Sequence, residues 1–320
     1  MASHWDFDSD EVRQIFDNLK VDFLSSLGLQ LPAEPADRLS FDFLHQICRS
    51  FETRVPFQNV DLLIVPENER KVPDLNEIVD SITSHRGGLC WNLNSFMGCL
   101  LGSLGFKVDF YPASVLGGLL GNHILLLVRN IDGDLSTPWL VDFGIANPGY
   151  PPIYFGEAQK CREAKQSWKS PVYRHGISLN QFELRQPECE ILRWQKLQFI
   201  PMDLKRTPSD DFYTFYRFPY TSTAGPDFFQ ESFKKTVYCA RDLPTAARLV
   251  DSLRVTRQAT ESGGVVAYNN NKVIKQSPDG HIVQSKIEKS DQLIQEVTKD
   301  FPMIPAKDVA KAIDYVWQFF

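Results

Sequence analysis

The segment that most restricts this chain is NHILLLVRNIDGDLSTPWLVDFG, residues 122–144. Two apolar runs of strand length flank Asp132-Gly133, a dipeptide that favours a tight hairpin turn. Inside the second run an aspartate, Asp142, stands between Val141 and Phe143. A carboxylate carried into an apolar strand is unstable unless something meets it. A hairpin centred on the Asp-Gly pair sets His123 directly opposite Asp142, with Cβ atoms about 5 Å apart. Pro138 cannot donate to a ladder, so the expected loop is longer than two residues. Symmetric lengthening keeps the pair together, whereas a slip of one residue sends the two side chains to opposite faces. A carboxylate so placed holds an imidazole in one tautomer.

Upstream lies SHRGGLCWNLN, residues 84–94. Cys90 opens a helical pattern with apolar residues at 93, 96, 97, 100, 101 and 104, and Gly105 is its natural stop. A helix N-terminus offers free N–H groups and partial positive charge, which favour a thiolate. Gly87 and Gly88 permit a sharp turn or a close approach, and Arg86 adds a cation nearby. Cys99, lower on the same helix, reads as a core residue. Cys90 is therefore the candidate nucleophile, His123 the base and Asp142 its orienter. A papain-like peptidase fits this order, although residues 81–89 lack an oxyanion-hole glutamine. Metal binding by the three residues has no other support in the sequence.

The surrounding chain has 320 residues, more than one core normally serves. Net charge is −6 and no long basic run appears, so nucleic acid is not an expected partner. The acidic N-terminus lacks the apolar region of a signal peptide, and no apolar stretch is long enough to cross a bilayer. Six cysteines at 48, 90, 99, 161, 189 and 239 show no CxxC spacing. A reducing, cytoplasmic setting is the expectation, with no metal and no membrane partner. Helices are predicted at 10–27, 41–51, 74–82 and 90–105. Strands are predicted at 106–113, 122–130 and 138–144, then at 171–175, 191–200 and 234–240. A helix at 243–253, a hairpin around Asn269, Asn270 and Asn271, and helices at 290–298 and 305–320 follow. The class is α+β: helical, then β-rich, then mixed.

Several segments together resemble the arylamine N-acetyltransferase family. Its RGGxCxExN motif is similar to Arg86-Gly87-Gly88-Leu89-Cys90-Trp91-Asn92-Leu93-Asn94, its THxLLLV strand to residues 122–128, and its YLVDVGFG segment to residues 139–146. VPFQNVDLL (55–63) resembles PFENL, and YTSTAGPDFF (220–229) resembles an STHPxSxF stretch. The resemblance runs from about residue 20 to 255 and is weak beyond. It implies a helical domain (1–105), a central β-barrel (106–225) and a C-terminal α/β lid (226–320), with a papain-like Cys-His-Asp arrangement. It also implies ping-pong chemistry, in which acetyl-CoA or a related acyl-CoA acylates Cys90 and an arylamine, hydrazine or hydroxylamine takes the acyl group. Gly118 and Gly121, with Thr221 and Ser222, would then contact the coenzyme. Phe57 and Ile145 would line the acceptor site, and Arg86, Asn92 and the backbone of Asn122 would support the nucleophile.

Three departures shape these expectations. Asn92 and Gln58 stand where the motifs carry glutamate, and Ile145 stands where the family has phenylalanine. An Arg86 short of counter-charge would attract an anionic acyl group such as malonyl, and loss of the aromatic wall counts against typical arylamines. An amide synthase acting on a biosynthetic intermediate, a thiol hydrolase and a non-catalytic binding protein on the same fold are the competing readings.

Overall fold

The computed structural model describes residues 6–115, 121–144, 152–154, 168–169, 180–186, 189–195, 212–218, 223–238, 249–260, 263–278 and 281–319. Helix α1 (Asp10–Ser26) starts where the Ser9 hydroxyl accepts the Val12 N–H at 3.3 Å. Its buried face carries Val12, Phe16, Phe23 and Leu24. After a short α2 (Pro35–Arg38), α3 (Phe41–Arg54) repeats the device, with Ser40 capping Phe43. The two-residue β1 (Phe57–Gln58) leads into α4 (Val60–Leu63). Helix α5 (Leu75–Thr83) opens on a reciprocal capping box between Asp74 and Glu77.

The central element is α6 (Cys90–Leu104). It is apolar nearly all round and therefore buried nearly all round, with Phe96, Met97, Leu100 and Leu101 fully enclosed. Burial of each such side chain contributes about 1.5–3 kcal/mol. One side packs on α1 and α5. The other meets strands β2 (Lys107–Val115) and β3 (His123–Arg129). At Gly98 an added Cβ would stand 2.4 Å from the Phe110 ring, so the helix–sheet approach depends on that glycine.

Those strands belong to an eight-stranded antiparallel sheet, completed by β4 (Trp139–Val141), β5 (Ile153–Tyr154), β6 (Trp168–Lys169), β7 (Asn180–Gln186), β8 (Cys189–Gln195) and β9 (Phe212–Phe218). Its order is β5-β4-β3-β2-β9-β8-β7-β6. Among the described residues the two end strands do not pair with each other, so the expected closed barrel is not formed by them. Among the described residues each end strand spans two residues, too few for a closing ladder. Helix α7 (Pro226–Phe233) follows. A second antiparallel sheet has the order β1-β10-β11-β12-β13, with β10 (Arg254–Thr260), β11 (Gly263–Asn269), β12 (Lys272–Gln276) and β13 (Ile282–Lys286). Helices α8 (Ser290–Asp300) and α9 (Ala306–Trp317) build a second core with it, and Val60 and Leu63 of α4 enter that core. The early chain is thus woven into the late one.

The hairpin register differs from the predicted one by two residues. Asp132 (φ 52) and Gly133 (φ 81) form the expected turn, closed by Ile131 opposite Asp134. Two extra residues then enter one arm, because the Asp134 carboxylate gathers the N–H and hydroxyl of Ser136 and the N–H of Thr137. Leu126 consequently faces Val141, and Leu127 faces Leu140. An even shift leaves every side chain on its own face, so His123 and Asp142 become diagonal neighbours.

Of the predicted strand 234–240, Lys234–Tyr238 instead continue α7 as a π-helical turn, and 239–240 lie outside the described residues. Burial of Phe229, Phe233, Val237 and Tyr238 overrides the strand preference of the Thr-Val-Tyr run. Of the predicted helix 243–253, residues 249–253 are irregular, because the Leu249 and Ser252 carbonyls both accept the Asn59 amide. The predicted strand 171–175 lies outside the described residues. The remaining predicted helices and the 265–275 hairpin are present.

Gly105 ends α6 at φ 103, with only the Leu39 side chain, 3.5 Å away, near the position of a Cβ. Its requirement is conformational rather than spatial. Gly105→Ala is expected to lower unfolding free energy by about 1–2 kcal/mol in urea titrations.

Candidate active site

The hairpin and α6 bring three chemically distinct side chains to one buried place. Cys90 is the first residue of α6, His123 the first of β3, and Asp142 follows the last residue of β4. His123 Nε2 lies 2.7 Å from Asp142 Oδ2, and the ring is also hydrogen-bonded to Cys90. Burial alone would make the imidazole less basic. The Asp142 charge and hydrogen bond, with those of Cys90, outweigh it and raise the His123 pKa to about 10.

Asp142 is anchored through its other oxygen. Asn94 Nδ2 donates to Oδ1 at 2.8 Å, and the Gly144 N–H donates to it at 2.9 Å. Asn94 also donates to the Ile124 carbonyl at 2.6 Å and accepts the Phe143 N–H at 2.8 Å. Asn94 stands one helical turn after Cys90, so the same face of α6 presents both. Gly144 packs directly on the thiol residue: an added Cβ would lie 2.4 Å from Cys90 Cβ.

The loop before Cys90 is pinned as firmly. Gly87 has φ 81, and a Cβ there would lie 2.0 Å from the Pro56 carbonyl oxygen. The Gln58 N–H donates to the Gly88 carbonyl at 3.0 Å, and Phe57 pairs with Gly88 in a parallel bridge. Arg86 Nε donates to Asp61 at 2.7 Å and its Nη2 to Asp308 at 2.8 Å. The premise that Arg86 lacks counter-charge is therefore corrected, because two carboxylates hold it. Asn92 packs on Gly88, and its oxygen accepts the Tyr238 hydroxyl at 3.2 Å. Burial keeps that phenol well above its usual pKa, and the negative charges of Cys90, Asp61 and Glu77 add to the effect.

Asn122 clamps the ends of the turn before β3, exchanging side-chain hydrogen bonds with both backbone groups of Val115. Gly121, at φ 87, sits against Ser232 and Phe228 of α7. Gly118, Ile145, Thr221 and Ser222 lie outside the described residues. The sequence reading overlooked Asn94, Tyr238, Asp61 and Asp308. Asn94 had a signal, since an amide four positions after Cys90 lies on the same helix face in a segment buried nearly all round.

The sequence profile of the N-acetyltransferase family matches residues 40–304. None of the curated protein sequences compared with the chain matches it. Solved structures do. The arylamine N-acetyltransferase of Nocardia farcinica superposes with a TM-score of 0.70 at 19% identity, over 97% of this chain and 99% of that one. The Salmonella typhimurium arylamine N-acetyltransferase gives 0.66 at 16%, over 93% and 98%. The Mycobacterium marinum enzyme in complex with CoA gives 0.66 at 18%, over 92% and 98%. The profile match over most of the chain and the shared fold define an acyltransferase. The chain belongs to the arylamine N-acetyltransferase family.

Removing the Asn94 side chain strands the Phe143 N–H and takes one of the two donors from Asp142 Oδ1, leaving it the Gly144 N–H. Asn94→Ala is expected to cost about 2–3 kcal/mol in urea unfolding. Asn94→Asp, which sets a second carboxylate against Asp142, is expected to cost more.

The raised His123 pKa also fixes a pH dependence. Below about 6.5 folded and unfolded chains both hold the proton, and the His123–Asp142 contribution is complete. Between 6.5 and 10 only the folded chain keeps it, so stability falls as pH rises and the contribution is lost above 10. Urea midpoints of the wild type should fall from pH 6.5 to 9.5, and His123→Asn should flatten that fall.

Proposed function

We propose that this chain transfers an acetyl or other short acyl group from acyl-CoA to an arylamine, hydrazine or hydroxylamine by a ping-pong route through acyl-Cys90. The observation that carries the proposal is the buried hydrogen-bonded series Cys90–His123–Asp142, locked by Asn94. With a pKa near 10, His123 holds its proton at neutral pH and supports a thiolate on Cys90.

In the first half-reaction the thiolate attacks the thioester carbonyl, and the C–S bond to coenzyme A breaks. The departing sulfur takes its proton from His123. In the second, the amine nitrogen attacks the acyl-cysteine and gives a proton to His123. Collapse releases the amide and restores the thiolate. Asp142 holds the imidazole in place and stabilises its charged form throughout. The Cys90 N–H, at the helix N-terminus, with the backbone N–H of Asn122, would hold the oxyanion.

The coenzyme would lie along the turn containing Gly118 and Gly121 and towards Thr221 and Ser222. Phe57, beside the nucleophile loop, and Ile145 would border the acceptor. Residues 1–105 would supply the nucleophile, 106–225 the histidine and aspartate, and 226–320 the lid. A thiol mechanism suits the reducing cytoplasm. The complex of the Mycobacterium marinum enzyme with CoA supports the choice of donor. Because Arg86 is engaged by two carboxylates, acetyl-CoA is favoured over malonyl-CoA.

Intact-mass analysis tests this reading. Mixing with acetyl-CoA should add one acetyl group, abolished in Cys90→Ala, and an arylamine should remove it. Malonyl-CoA should acylate at least tenfold more slowly, by the size of a lost charge pairing. Absence of acylation by every acyl-CoA in an acetyl, propionyl and malonyl panel would sink the proposal.

A further inference from the structure

Just upstream of Cys90 the backbone adopts an uncommon form. His85 has φ 59 and Gly87 has φ 81, so Arg86 sits between two left-handed residues. For histidine this conformation is costly and persists only where the surroundings impose it. Here they do so residue by residue. The His85 ring meets Ser26 Oγ of α1 at 2.8 Å. The Gly87 N–H donates to the Ser81 carbonyl at 3.1 Å, and the Gly88 N–H to that of Pro56 at 3.3 Å. Arg86 is gripped by Asp61 on one side and Asp308 on the other.

The two carboxylates are not equivalent. Asp61 is 40% exposed, whereas Asp308 is 17% exposed, against 22% for Arg86. The more enclosed pair is screened less by water and so constrains more. Asp308 also lies in the first turn of α9, where the helix dipole favours a carboxylate. The next residue, Val309, is fully buried in the second core and fixes the helix beneath it. Asp308 lies beyond residue 304, where the family match ends. Gln58, which bonds Asp61 at 2.8 Å, brings no charge of its own.

We propose that Asp308 is a positioning residue for the reaction: by holding Arg86 it fixes the turn that sets Cys90 against His123. The kinetic readout rests on the acyl-cysteine reading above, whereas the chemical readout does not. The C-terminal helix thereby sets the geometry of a nucleophile more than two hundred residues away in sequence.

The test uses the full chain and follows modification of Cys90 by iodoacetamide at pH 7, with mass analysis of the Cys90 peptide. Small displacements of reacting groups cost large factors in rate, so Asp308→Asn should label about tenfold more slowly than wild type. Asp308→Ser, a second variant that also removes the charge, should match it. Asp308→Glu should recover most of the rate. Arg86→Met/Asp308→Asn should label no more slowly than Arg86→Met alone, because Asp308 acts through Arg86. Lys275→Ala breaks the 2.7 Å Lys275–Asp300 pair elsewhere in the same sheet and helix layer, and should keep the wild-type rate. In acetyl-CoA turnover, Asp308→Asn should lower kcat and leave the donor KM unchanged. Labelling of Asp308→Asn at the wild-type rate or faster would overturn the proposal, as would full additivity with Arg86→Met. A wild type that labels readily at Cys90 but gains no acetyl from acetyl-CoA would overturn the transferase reading and leave the Asp308 comparison intact.

Discussion

The hydrogen bonds between Asn94 and the Asp142 segment are the constraint on which the site depends. They join a helix to a hairpin at a point where neither can move alone. Asp142 divides its two oxygens, one for His123 and one for Asn94 and the Gly144 N–H. A carboxylate in so apolar a strand is tolerable only when both oxygens are met. Asn94 contributes a donor to Asp142 and an acceptor for Phe143, so it fixes both the carboxylate and the backbone beyond it. Cys90 lies one turn above on the same face. A single helix orientation therefore places the thiol and secures the carboxylate that orients its histidine.

The close packing at Gly144 follows from the same constraint. Once Asn94 draws the strand end onto α6, no room remains for a side chain beside Cys90. Gly87 and Gly98 mark two other close approaches, to the Pro56 carbonyl and to the Phe110 ring. Three glycines thus bring backbone and helix within reach of one another around Cys90. Their local cost in chain entropy is offset by the core built on α6.

Much of this was legible because it depends on local pattern. The unmatched acid in an apolar strand demanded a partner, and the Asp-Gly turn supplied the direction in which to look. The face was read correctly although the register was not. Strand periodicity is two, and the Asp134 side chain inserts two residues, so the error cancelled on the face. The π-helical turn at Lys234–Tyr238 was illegible for the opposite reason: local preference pointed to a strand, and burial of Val237 and Tyr238, with the Tyr238 ring edge-on to Phe233, decided otherwise. Asp308 was invisible because its partner lies 222 residues away, and only the fold joins them.

The charge distribution around Cys90 then has a definite logic. Arg86 looked from sequence like the cation nearest the thiol. With Asp61 and Asp308 bound to it, the cluster as a whole carries no net positive charge to offer. Asn92 and the protonated Tyr238 beside the helix start are neutral. Among these groups His123 is the one that sets a positive charge beside Cys90, at the N-terminus of α6. Its counter-charge, Asp142, is held on Nε2 of the ring by Asn94 and the Gly144 N–H, and stabilises the imidazolium there. A carboxylate at position 92 would add a negative charge at the same helix start, and the amide keeps hydrogen bonding there without that charge.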